Sequence, residues 1–156
     1  QPFEVDRRVL NLLDTLSSAQ KEIAQLRRKL AERELEQILS HAQTINGFVS
    51  VVSAQVEAAD VETMREISDW LRSRLKSAVV VLGAAINGRP NLIAAVTPDL
   101  VERGLHAGQL VKAVAQAVGG GVGGKPTLAQ AGGRDLAKLP EALAKVRPWV
   151  EEHLTA

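Results

Sequence analysis

With 156 residues, 46% apolar and 24% charged, the chain has material for one globular domain plus an extension. It has no Cys, which excludes disulfides, thiol catalysis and Cys-ligated zinc or iron–sulfur centres and suits a reducing cytoplasm. Two Phe, two Trp and no Tyr are too few for a surface that stacks bases, and a net charge of +1 says little about partners.

Residues 5–42 contain no Gly or Pro and read as one helix. Val9, Leu12, Leu16, Ala19, Ile23, Leu26 and Leu30 recur at alternating spacings of three and four, a heptad seam. The stripe then shifts by one residue to Ala31, Leu35, Ile38 and Ala42, so the last turns face a different neighbour. Such a helix is about 55–60 Å long, more than one small domain covers. The expectation is an arm over residues 1–44 that pairs with another helix through Leu16, Ile23, Leu26 and Leu30, as a homodimer or with an absent part of the same protein. The alternative is a helix lying across its own domain. The chain opens on Gln1 and Pro2 and not Met, as expected of a piece of something larger.

The rest, residues 45–156, reads as a small α/β (α+β) domain with a mixed sheet. Asn46-Gly47 breaks the helix. Phe48 to Val56 alternates as a strand does. Asp60 is placed to cap a helix carrying Val61, Met64, Ile67, Leu71 and Leu75. Residues 78–86 are apolar on both faces, which predicts a central strand. Asn87-Gly88 predicts a tight hairpin and Asn91–Val96 the returning strand. Thr97-Pro98 starts and caps a short helix ended by Gly104. A further helix follows from Ala107 to Gly119, then a glycine-rich loop, a strand over Thr127–Ala131 and a last helix that Pro148 should kink or split. No apolar run approaches the roughly 18 residues of a membrane span.

The chemistry concentrates in the glycine-rich segment. Residues 119–125 formally match the opening of a P-loop, but Pro126 stands where a magnesium-binding hydroxyl belongs. A helix precedes the segment where a P-loop needs a strand, so nucleotide hydrolysis is excluded. Such a run is either a linker or a place where backbone approaches something closely. Exposed amides suit phosphate oxygens. Lys125, with Lys112 and Arg134 nearby in sequence and no acidic residue between Arg103 and Arg134, supplies cations for a nucleic-acid backbone.

Residues 119–133, GGGVGGKPTLAQAGG, resemble the glycine-rich motif of the DHH-associated nucleic-acid-binding domain, in the form found at the C-terminus of alanyl-tRNA synthetase. Val122 departs from that motif, which has another glycine there. The strand at residues 76–82 and the closing helix at residues 149–154 resemble the same domain, and the upstream helix resembles that enzyme's helical linking segment. The resemblance implies a non-catalytic piece of a cytoplasmic alanine–tRNA ligase. Such a piece contacts the tRNA elbow, helps aminoacylation and editing act on one tRNA and associates through its helix. It implies contacts from Gly119, Gly120, Gly121, Gly123, Gly124, Lys125 and Gln130. Lys112, Arg134 and His106 join this set on the charge and loop argument alone.

Catalysis finds no footing. His41, His106 and His153 fall in different elements. Glu62, Glu66 and Asp69 read as one solvated helix face, and the Asp-His-His motif of DHH phosphoesterases is absent. No cofactor or metal is expected. Two other readings remain open: a structural dimerisation module, and the nucleic-acid-binding tail of a DHH-type phosphoesterase.

Overall fold

A computed structural model describes residues 2–154. Helix α1 runs from Pro2 to Ser40. It has the expected continuity, begins on a Pro, which a first helical position tolerates, and ends two residues short of the expected 42. The chain divides into two units after Gln37. In the first, the heptad seam is bare: Leu16 is 55% exposed, Ile23 48%, Leu26 53% and Leu30 59%. In the second, Ile38, Leu39 and Ala42 pack against a buried core. The one-residue shift of the apolar stripe brings Ile38 and Ala42 into phase with that core.

The second unit is a six-stranded mixed sheet with helices on both faces. Its strands are β1 (Gln43–Ile45), β2 (Val49–Gln55), β3 (Ala78–Ile86), β4 (Arg89–Val96), β5 (Gly121–Gly124) and β6 (Leu128–Gly132), arranged in the order β1-β2-β3-β4-β6-β5. The helices are α2 (Val61–Arg74), α3 (Pro98–Glu102), α4 (Ala107–Ala115), α5 (Leu139–Ala144) and α6 (Val146–His153). β3 pairs in parallel with β2 and antiparallel with β4. Its alternation sends Val79 and Val81 into the core beneath α4, α5 and α6, and Val80 and Leu82 into the core beneath α2. A strand buried on both faces is why residues 78–86 carry no polar side chain.

Several elements follow their local chemistry. The Asp60 carboxylate accepts the Thr63 amide at 2.8 Å and starts α2. Asn87 and Gly88, at φ 53° and 75°, form the β3–β4 turn, the two left-handed residues such a hairpin needs. The last helix is split: α5 and α6 meet at Lys145, leaving Pro148 in the first turn of α6, where a missing amide costs nothing.

Four expectations are corrected. Asn46-Gly47 does not end the helix, which stops at Ser40 ahead of β1: at φ 53° and 79° it is a second tight turn, joining β1 to β2. Phe48 belongs to the turn and not to the strand, with the Arg103 guanidinium 4.6 Å above its ring. Thr97 precedes α3 but gives it no side-chain cap. The glycine run is not a loop: residues 121–124 pair with β6 as the sheet's outermost strand. Strand propensity misses this because glycine supplies no side chain to score. Here the backbone ladder and the lack of Cβ atoms do the work.

Candidate nucleic-acid interface

Two of the glycines are required by the fold itself. A Cβ on Gly120 would stand 1.8 Å from the Gly132 carbonyl oxygen, and one on Gly124 would stand 2.3 Å from Ala129 Cα. Both distances are impossible for any larger residue. Gly119, at φ 69°, ends the 3-10 turn that follows α4. Gly121 differs, since a Cβ there would meet nothing within 4 Å. The close approach inferred from the glycine run is therefore partly internal, chain against chain.

The amides divide in the same way. Gly119 and Gly120 donate to Gln116 and Ala115 carbonyls at 3.3 and 3.0 Å, and Lys125 donates to the Leu128 carbonyl at 2.8 Å. With Lys125 and Leu128 bonded, antiparallel alternation turns the backbone groups of Gly124 and Val122 to the outer side of the sheet. Alternate amides, and not the whole run, face outward.

On the α2 side of the sheet, α2 contacts β3 and β4, and β6 and β5 lie beyond it. A concavity of about 630 Å³ opens there, with Arg65, Lys125, Gln130 and Gly121 on its walls. A second, of about 740 Å³, lies at the β3–β4 turn and carries Arg89, Arg134 and Asn87. The two share Asn91, Gly121 and Gly132, so they read as one groove with a saddle of bare backbone. No aromatic side chain lines either part among the described residues.

The groove gathers Lys125, Gln130, Arg134 and the glycines Gly119, Gly120, Gly121 and Gly124; Gly123 pairs across from Gln130 in the β5–β6 ladder. It does not gather Lys112 or His106. Lys112 is exposed on α4, which packs on the opposite face of the sheet. His106 serves the fold: its Nδ1 accepts the amides of Gly108 and Gln109 at 3.0 and 3.3 Å and caps α4.

Sequence reasoning misses Arg65, Arg89 and Asn91. Arg65 lies on α2, far along the chain from the glycines. Asn91 reaches the site because β4 pairs with β6 and sets it opposite Gly132. The one available signal is Arg89 and Asn91 alternating directly after the Asn87-Gly88 turn.

The groove is electropositive. Among the described residues, Lys125, Arg89 and Arg134 make no ion pair, and Arg65 has Glu62 only at 4.0 Å. Asp135, beside Arg134, accepts the Ala137 amide at 3.2 Å. Cations of which three make no ion pair among the described residues, set around a bare backbone saddle, suit a polyanion. Among the described residues, no His, Asp or Glu cluster is arranged to hold a metal ion, and no helix is long and apolar enough to cross a membrane.

The chain is similar to known proteins along most of its length. The DHHA1 domain model matches residues 46–152. The chain is 47% identical over 154 residues to the alanine–tRNA ligase of Aromatoleum aromaticum and 48% identical over 151 residues to that of Bacillus subtilis. It covers 99% and 97% of itself in these matches, but spans only 17% of the length of those relatives. Among solved structures it is similar to the C-Ala domain of Aquifex aeolicus alanyl-tRNA synthetase. That match has a TM-score of 0.61 and 26% identity, over 69% of this chain and 95% of that one.

Proposed function

The chain belongs to the DHHA1 domain family, and from that premise we propose that it is the RNA-holding, non-catalytic module of an alanine–tRNA ligase. Its 47% identity to such an enzyme over a 17% share of its length supports a domain that serves a larger protein. One observation carries the binding half of this reading: Lys125, Arg65, Arg89 and Arg134 surround the glycine saddle of one groove. Its ligand is tRNA, engaged through the backbone at the elbow, in the cytoplasm where charging occurs. Holding the elbow would let aminoacylation and editing work on one bound molecule. Recognition by shape and phosphate needs few base-reading side chains.

The test is a titration of the chain and its Lys125→Ala variant with tRNA at two salt concentrations. Wild-type affinity falls steeply with salt, and the variant lowers the slope by about one phosphate contact. Its stability should be unchanged, because an exposed lysine contributes little to folding. Salt-independent binding, or equal affinity of the two proteins, counts against the reading.

A second role rests on the arm. Leu16, Ile23, Leu26 and Leu30 lie bare along one heptad stripe, an arrangement that another helix would cover. The partner is a second copy of the chain or a further segment of the parent ligase.

A further inference from the structure

Resting on the RNA-holding reading, we propose that the side-chain amides of Gln130 and Asn91 recognise a ribose 2′-hydroxyl, so that the groove separates RNA from DNA. Asn91 on β4 lies opposite Gly132 on β6, and Ile93 lies opposite Gln130. Asn91 and Gln130 are therefore diagonal neighbours on one face, their Cβ atoms about 7 Å apart. Gly132 leaves the corner between them empty: a Cβ there would find only Asn91 Oδ1, at 3.9 Å.

Each amide has one end tied by the protein. Arg65 Nη2 donates to Gln130 Oε1 at 3.5 Å, which leaves the Gln130 NH2 to donate outward. Asn91 Nδ2 donates to the Arg89 carbonyl at 3.2 Å, which leaves Oδ1 to accept. The groove thus presents a donor and an acceptor on either side of a bare backbone floor. A phosphate only accepts, so it matches one of the two. A 2′-hydroxyl both donates and accepts, and it is the group that distinguishes RNA from DNA. A base gains no stacking here, because no aromatic side chain lines the groove among the described residues.

The cations fit a strand in this orientation. Arg89 and Arg134 stand at the Gly119–Gly121 end of the groove and Lys125 at the other. The four residues of β5 between them span about 10 Å. A stacked strand rises about 3.4 Å per nucleotide along its axis, and its phosphates lie farther apart than that along the backbone, so this interval takes a nucleotide or two. Phosphates then meet the cations at both ends, and the ribose between them sits over Gly132.

The experiment measures affinity for a tRNA transcript and for DNA of the same sequence, using wild type, Gln130→Ala, Asn91→Ala and Lys125→Ala. Thermal melting of each protein confirms that it is folded. Wild type prefers RNA. Gln130→Ala and Asn91→Ala each lower the ratio of RNA to DNA affinity about fivefold, the scale of one hydrogen bond, and leave DNA binding unchanged. Lys125→Ala weakens both ligands and leaves the ratio alone. An unchanged ratio in both amide variants, with salt-sensitive tRNA binding intact in wild type, overturns the 2′-hydroxyl proposal alone. Absence of tRNA binding by wild type overturns the RNA-holding reading and this proposal with it.

Discussion

Thr97 and Ala78 hold each other reciprocally: the Thr97 amide donates to the Ala78 carbonyl at 3.1 Å, and the Ala78 amide donates to Thr97 Oγ1 at 3.2 Å. A side chain here completes the ladder where β3 begins and β4 ends. The Thr97 hydroxyl oxygen thus accepts from the sheet and from no backbone amide of α3. Thr97→Val keeps the shape and removes the acceptor, leaving the buried Ala78 amide unsatisfied. Denaturant unfolding should show a loss of about 1–3 kcal/mol; a loss below a few tenths would refute the assignment.

Gly124 and Gly121 make opposite predictions from neighbouring positions. Gly124→Ala forces a Cβ to within 2.3 Å of Ala129 Cα, so β5 must shift off β6. Overpacking of this kind costs typically about 1–3 kcal/mol, read as a lowered unfolding midpoint. Gly121→Ala meets nothing, so stability stays within about 0.5 kcal/mol of wild type. Its methyl group intrudes on the saddle, and tRNA affinity should fall several-fold in a filter-binding titration. A Gly121→Ala protein that binds normally would show that RNA does not approach the saddle.

Acid should loosen the second unit through two carboxylates. Hydrogen bonds from the Thr63 amide and hydroxyl hold Asp60 below the ordinary 3.8. For Asp99, burial pushes the pKa up, but hydrogen bonds from Ser77, Thr97 and nearby amides outweigh it and leave the pKa below 3.8. A depressed folded-state pKa means that the unfolded chain binds more protons as pH falls. The stabilisation is therefore present above about pH 4 and is lost as pH drops through the folded-state values. Melting temperatures should rise with pH from about pH 2 to about pH 4 and level off above it, and the rise should be shallower in Asp60→Asn and Asp99→Asn. Equal slopes in all three proteins would contradict this.

Burying charge in the arm seam tests its role. Leu16→Asp combined with Leu26→Asp should convert a self-associated chain to monomers in sedimentation, with the melting of the second unit unchanged. A wild-type chain that sediments as a monomer assigns the seam to a different segment of the parent protein.

What the sequence discloses follows the range of each signal. The long helix, the Asp60 cap, β3 and the Asn87-Gly88 turn are encoded by residues within a few positions of each other, and all appear where expected. β1 has three residues and depends on pairing with β2. β5 has no apolar side-chain alternation to detect, because three of its four residues are glycine. The groove is less legible still. Lys125 and Gln130 lie in the recognisable motif, whereas Arg89 and Asn91 join them only when the β4–β6 register closes a separation of some forty residues, and Arg65 only because α2 packs on the same face of the sheet. His106 misleads because an imidazole that caps a helix and one that meets RNA look alike in a sequence.

The outermost position of β5 also bears on how the protein keeps to itself in a crowded cell. Unprotected strand borders invite strands from other molecules, and stacked fibres begin that way. A border with three glycines in four residues offers a newcomer little to interdigitate with, and Lys125 followed by Pro126 closes it with a charge and a missing donor. Replacing the β5 glycines with Val or Ile would turn that border into an edge that other strands can extend, and aggregation should follow.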